Sequence, residues 1–177
     1  MKSLIALIVC TALAAAMPAV AQTPAPPSAA TEVGALMKAG QNDEALRRAE
    51  ARLKENPRDA QVRFMRAVIL TELGRTVEAA AAFETLIAEY PELTEPYNNL
   101  AVIRAAQGSY EPAWRLLQQA LAAQPNYVTA LENLGDLHLS MAEQAYGKAL
   151  GLKADNAAVK TKLEAARELN LRLRAVR

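Results

Sequence analysis

The stretch Thr94–Pro125 reads TEPYNNLAVIRAAQGSYEPAWRLLQQALAAQP, and it decides the fold. Two runs with apolar residues at helical spacing lie on either side of Gly108, and Pro125 follows the second run. A glycine just past one helix and a proline soon after the next are ordinary helix-ending signals. The stretch therefore predicts two helices joined by a tight turn.

The same unit recurs along the chain with a period of 34 residues. Three residue types share that period, namely Pro57, Pro91 and Pro125, then Gly40, Gly74 and Gly108, then Ala45, Ala79 and Ala113. A fixed period of this length is typical of a repeat array, in which each unit buries its apolar face against its neighbours. The complete units cover about 31–57, 59–91 and 93–125.

The pattern resembles the tetratricopeptide repeat (TPR) family, whose unit is a 34-residue helix–turn–helix. The resemblance rests on an aromatic residue or Leu, a Leu-Ala or Leu-Gly pair, a glycine turn, a second aromatic, an alanine and a closing proline, across about residues 30–154. It implies an all-α solenoid whose first helices line a concave face. No stretch alternates apolar and polar residues as a half-buried strand would.

A fourth unit, residues 127–154, is shortened. Gly135 and Ala142 are seven residues apart, whereas the matching Ala101 and Ala113 are twelve apart. The missing positions are those that formed the glycine turn in the other units. The array of about residues 31–154 therefore ends in an incomplete repeat.

Two interpretations of this shortened unit are open. Ser140 with Glu143 is a capping-box pattern that could start a separate second helix. Apolar residues spaced by three and four from Leu131 to Leu152 favour one continuous helix over about 128–153 instead. We prefer the continuous helix, and we expect His138, which lies in that apolar row, to be a packed core histidine.

A last helix is predicted after the array, within residues 155–177. Its apolar row consists of Val159, Leu163, Ala166, Asn170 and Leu173. A polar-faced helix of this kind is what a repeat array needs as its end cap. For the helix starts we expect N-caps at Asn42 or Asp43, at Asp59, and at Asp155 or Asn156.

Residues 1–21 have the pattern of a secretory signal peptide. Lys2 precedes an apolar run from Leu4 to Ala16, and Ala19-Val20-Ala21 is a small-residue cleavage site. We expect cleavage after Ala21, followed by a Pro/Ala-rich flexible leader over residues 22–30. This predicts a periplasmic or secreted protein with no membrane span after cleavage.

Composition excludes several classes of function. The region after residue 21 has equal numbers of acidic and basic side chains, so no charge excess favours nucleic acid or an anionic membrane. It also has no cysteine, because Cys10 lies in the predicted signal peptide. With a single histidine in the chain, we predict no metal, no cofactor and no catalytic residue. The carboxylates Glu132 and Asp136 lie on one helix face and are interpreted as solvated.

The candidate binding site is the concave groove that the TPR resemblance implies. Asn99 and Asn133 are one repeat apart on first helices, and a carboxamide can both donate to and accept from a peptide backbone. Asn98 lies beside them, and Phe64 and Met65 could offer an apolar pocket one repeat earlier. The competing interpretation is that these asparagines are only frequent residues of the repeat pattern.

The function that follows is a non-enzymatic scaffold or adaptor that binds a protein or peptide partner in this groove. The alternative is a structural component of the cell envelope that self-associates, as a homodimer for example, through its C-terminal helices. The sequence does not name the partner.

Overall fold

The computed structural model describes residues 28–176. The predicted signal peptide and residues 22–27 of the predicted leader lie outside the described residues. The helices are α1 (Ala29–Lys38), α2 (Asn42–Glu55), α3 (Ala60–Glu72), α4 (Thr76–Glu89), α5 (Thr94–Ala106), α6 (Tyr110–Ala123), α7 (Val128–Leu152) and α8 (Ala157–Val176). Within residues 28–176 there is no strand. The predicted all-α class is confirmed.

The first six helices form three pairs, each closed by a glycine in the left-handed region. Gly40, Gly74 and Gly108 have φ angles of 69°, 71° and 75°. At the third turn the amide of Ser109 donates to the carbonyl of Arg104 at 2.9 Å, which satisfies a group left free at the helix end. Only glycine takes this backbone conformation without a steric cost, so the repeated glycine marks the turn between paired helices.

Alanines on facing helices let each pair approach closely. Ala67 and Ala101 on first helices, and Ala79 and Ala113 on second helices, are all at most 1% exposed. Larger side chains, with Phe83 and Leu117 at their centre, fill the space beside these contacts in two core clusters. The 34-residue alanine period is therefore a packing period.

Helix α7 runs without a break through the level at which the earlier pairs turn. The preferred interpretation, one continuous helix, is confirmed by its 25-residue span. The Ser140 hydroxyl donates to the carbonyl of Asp136 at 3.1 Å inside the helix, so it does not act as an N-cap.

The expected burial of His138 is wrong, because its side chain is exposed. The buried side chains of α7 are Ala130 and Leu137 instead. This face of the helix packs with the α5–α6 core cluster. The apolar row that includes His138 lies around the helix from it, so apolar spacing alone selected the wrong face.

Helix α8 folds back along the second half of α7. Asn170 donates to a Glu143 carboxylate oxygen at 2.7 Å, and Arg167 donates to the other oxygen at 3.4 Å. Leu163, Ala166 and Asn170 are buried, which confirms the row predicted for this helix.

Two of the three predicted N-caps are confirmed. Asp59 accepts from the amide of Val62 at 3.0 Å, and Asn156 accepts from the amide of Val159 at 3.2 Å. The prediction of Asn42 or Asp43 is wrong, since α2 is capped by the backbone of Gln41 with no side-chain bond. Helices that follow a glycine turn start too soon after it to use a separate capping side chain.

Candidate functional site

The predicted asparagine row does not form as expected. The Asn133 amide nitrogen donates to the Asn98 side-chain oxygen at 2.8 Å, and Asn98 is only 5% exposed. Asn99 donates to the carbonyl of Glu95 at 2.8 Å within its own helix. The expectation that Asn99 and Asn133 both extend freely into solvent is therefore wrong, because α7 packs close enough to α5 for Asn133 to reach Asn98.

Phe64 and Met65 are half-buried against the core. The Phe64 ring lies 5.9 Å from the ring of Phe83, tilted by 56°, and the Met65 methyl lies 3.3 Å from where a Cβ on Gly34 would stand. Both side chains help pack the first three helices. Their role as an apolar peptide pocket stays a prediction.

A cavity of about 570 Å³ opens among α5, α6, α7 and α8. Its volume falls in the range of ligand-binding pockets. Apolar side chains from three of the helices line it, together with a row of polar side chains on α7; they include Val102, Leu137 and Leu173, and Asn133, Asp136 and Ser140. Of the five predicted groove residues, Asn133 lines this cavity.

The cavity follows from the shortened repeat. Because α7 does not turn at Gly135, it carries Asp136, Leu137 and Ser140 past the end of α5. Helix α8 then returns to the same space, where Asn170 and Leu173 line the far side. Sequence reasoning missed this site because the return path of α8 is a tertiary feature. The available signal was the mixture of polar and apolar residues at positions 133, 136, 137 and 140.

Polar contacts stabilise the walls of the cavity. A carboxamide has two N–H donors and an acceptor oxygen, so the bond to Asn98 uses only part of the capacity of Asn133. Asn170 is 8% exposed and is held by its bond to Glu143. The site thus combines fixed carboxamides with an apolar lining, which suits an extended peptide carrying an apolar side chain.

A second cavity, of about 630 Å³, lies near the first repeats and has an arginine-rich lining. Arg63 donates to Glu89 at 2.6 Å and lies over the ring of Tyr90. The hydrogen bond to Glu89 is the main cause of the raised pKa of Arg63, and the same bond lowers the pKa of Glu89. These charges are mutually satisfied, so this cavity is a weaker candidate for a binding site.

Within residues 28–176, no group of three or more His, Cys, Asp or Glu side chains is placed to hold a metal ion. In the same described part of the chain, no helix combines the length and apolarity that crossing a membrane requires.

Comparison with known proteins gives a consistent family. Residues 31–93 match the family model described as tetratricopeptide repeat. Tetratricopeptide repeat protein 37 of Xenopus laevis is 28% identical over 136 residues, which are 77% of this chain and 9% of that protein. The chain spans at most 14% of the length of the curated relatives it matches.

Two solved structures share the fold at 25% identity. TTC0263, a thermophilic TPR protein of Thermus thermophilus, superposes with a TM-score of 0.59 over 78% of this chain and 79% of that chain. YrrB, described as a TPR protein with an unusual peptide-binding site, superposes with a TM-score of 0.55 over 59% of this chain and 54% of that one.

Proposed function

This chain belongs to the tetratricopeptide repeat family, and on that basis we propose that it is a non-enzymatic scaffold for one protein or peptide partner. The partner segment lies in the cavity beside Asn133. The observation that carries this proposal is the cavity itself, which places an apolar lining next to fixed carboxamides. The peptide-binding site described for YrrB supports the same class of ligand.

The proposed contacts follow from the lining. An apolar side chain of the partner packs against Val102, Leu137 and Leu173, while the Asn133 carboxamide bonds the partner's backbone. A hydrogen bond of this kind contributes on the order of 1 kcal/mol. Apolar burial supplies the remainder, at about 25 cal/mol for each Å² removed from water.

We propose that the chain works in the periplasm or outside the cell, and the support for this location is the signal-peptide pattern of residues 1–21. Cell fractionation followed by N-terminal sequencing tests it. The expected mature protein begins at Gln22, and a cytoplasmic protein that retains residues 1–21 would contradict the location without affecting the scaffold.

The binding proposal is tested by capture of a partner on the purified full chain from an envelope extract of the source cells. Val102 is 38% exposed and lines the cavity, so Val102→Glu should leave the fold intact and place a charge in the apolar lining. We expect the variant to reduce affinity for the captured partner at least tenfold, since 1.4 kcal/mol is one decade.

Val77→Glu is the matched control. Val77 is 78% exposed on α4 and does not line the cavity, so the same charge there should leave capture unchanged. Equal losses from both variants, or an unmodified chain that captures nothing, would overturn the proposed site.

A further inference from the structure

One face of α7 carries an uncovered row of residues, which we name the α7 stripe. Its eight members alternate in spacing between three and four; they are Val128, Leu131, Gly135, His138, Ala142, Ala145, Ala149 and Leu152. This is the a/d spacing of a helix that pairs with another helix along its length. Val128, Leu131 and Leu152 are 64%, 48% and 90% exposed, so large apolar groups at both ends of the stripe face solvent.

The equivalent positions one repeat earlier are buried. Tyr97 and Ala101 correspond to Leu131 and Gly135, and they are 9% and 1% exposed. In that repeat the second helix, α6, contributes Ala113 and Leu117 to the same core cluster. A Cβ built on Gly135 would meet nothing within 4 Å. The first half of α7 therefore has a helix-binding face but no helix on it.

The sequence of the missing second helix lies in the other half of α7. Ala142, Tyr146 and Ala149 match Ala113, Leu117 and Ala120 at a constant offset of 29 residues; the latter three are at most 2% exposed. A continuous helix cannot fold its second half onto its first half. Removal of a turn between two packing elements is a known route to exchange of elements between copies.

We propose that two copies of the chain pair antiparallel through their α7 stripes, so that the second half of each α7 covers the first half of the other. The stripe is symmetric about residue 140, which places Leu152 of one copy against Val128 of the other and Ala149 against Leu131. Such a two-fold arrangement uses the same surface on both copies. The small residues in the middle of the stripe let the two helices approach closely.

Charge complementarity supports the antiparallel direction. Glu132 and Lys153 flank the stripe near its opposite ends, and both are exposed. In the antiparallel pair Glu132 of each copy lies within reach of Lys153 of the other, whereas a parallel pair would bring Glu132 against Glu132. The stripe and the cavity lie on different sides of α7, so pairing leaves the proposed binding site open.

Cross-linking between single-cysteine variants tests the pairing. Leu131→Cys and Ala149→Cys are each made in a full chain that also carries Cys10→Ser, and the two proteins are mixed with a short bis-maleimide. Residues 131 and 149 are 18 positions apart on one straight helix, about 27 Å, so a short linker cannot join them within a copy. We expect the mixture to give cross-linked dimers and each single variant alone to give almost none.

The outcomes separate the alternatives. Cross-linking of Leu131→Cys to itself would mean a parallel pair and would overturn the proposal. Failure of the mixture to cross-link, with a monomer in sedimentation equilibrium at every concentration, would equally overturn it and leave the stripe to a different protein.

A charge on the stripe gives a second measurement. Ala145 is exposed within the stripe and Gln144 is exposed on the opposite side of α7, so Ala145→Glu and Gln144→Glu add the same charge to the same helix. Because both copies carry each change, Ala145→Glu should raise the dimer dissociation constant at least tenfold in sedimentation equilibrium. Gln144→Glu should leave that constant within about twofold, and equal effects of the two variants would contradict the proposed face.

Discussion

The third helix pair, α5–α6, and the fourth unit, α7–α8, start from nearly the same sequence pattern and end in different structures. In the third pair Gly108 turns the chain and α6 covers Tyr97 and Ala101. In the fourth unit the turn is missing, α7 continues straight, and Leu131 stays 48% exposed. The loss of a turn thus uncovers a helix face on one side and creates the cavity on the other.

The largest expected effect comes from restoring the turn. Replacing residues 136–141 by the sequence of residues 102–112 returns the five missing positions together with a glycine. We expect α7 to split into two paired helices that cover each other, so the dimer is lost and the cavity is remodelled. Sedimentation equilibrium and a structure of the chimera check this, and a chimera that keeps a straight α7 would show that the turn residues do not control the break.

Much of the fold was predictable from spacing. The 34-residue period located the paired helices, and the absence of Gly and Pro between Asp136 and Tyr146 indicated a continuous α7, because both features act through local backbone preferences. The buried face of α7 was not predictable in the same way. His138 and Leu137 are neighbours in the sequence, and only the packing of α7 on α5 and α6 decides which of them is buried.

The candidate site was predictable only in part. Asn133 was identified from its repeat position, but its bond to Asn98 depends on the distance between α5 and α7. The cavity depends further on α8, which returns through contacts such as Glu143 with Asn170. Contacts between residues 27 positions apart are set by tertiary packing, which no local pattern in a single sequence encodes.

Equivalent large residues in the two regions should differ in their contribution to stability. Tyr97→Ala removes a nearly buried ring whose hydroxyl donates to the carbonyl of Pro91 at 3.2 Å, and we expect it to lower the free energy of unfolding by about 3 kcal/mol. Leu131→Ala should cost less than about 1 kcal/mol in the monomer, because half of that side chain is already exposed. Urea denaturation at a concentration where the chain is monomeric compares the two, and equal losses would mean that Leu131 is packed.

Glycines of the two regions should respond to alanine with opposite sign. Gly108→Ala places a Cβ in the left-handed region and should cost about 1–2 kcal/mol. Gly135→Ala lies inside a helix with open space around the new Cβ, and should add up to about 1 kcal/mol of stability. Thermal unfolding of the two variants checks this, and destabilisation by Gly135→Ala in the monomer would mean that the position is already covered.

The asparagines should separate into a binding role and a packing role. Asn133→Ala removes the bond to the buried Asn98 and should cost about 1 kcal/mol of stability, whereas Asn99→Ala should change stability little because its bond lies within one exposed turn. The double variant should also weaken partner binding tenfold or more, measured by calorimetry with the captured partner. An unchanged affinity, with only the melting temperature lowered, would assign both residues to structure.

The smallest expected effect is that of acid, and it should act on the first two repeats. Hydrogen bonds from Arg52 and then Arg48 lower the pKa of Glu32, and hydrogen bonds from Arg63 lower the pKa of Glu89. A carboxyl group whose pKa is lower in the folded state adds stability above its unfolded pKa, near 4.3, and loses that contribution as the pH falls through the folded value. We therefore expect the melting temperature to fall between about pH 4.3 and the lowered values.

Glu89→Gln isolates this contribution. It removes the charge that pairs with Arg63, so the variant should melt slightly lower than the unmodified chain at pH 7 and should lose less on acidification. Glu92→Gln is the control, since Glu92 is an exposed glutamate three residues along the chain with no ion pair among the described residues. Both ion pairs are largely exposed, so solvent screens them and the shift should amount to a few degrees at most. A Glu89→Gln variant with the same acid response as the Glu92→Gln control would show that the Arg63–Glu89 pair does not contribute to stability.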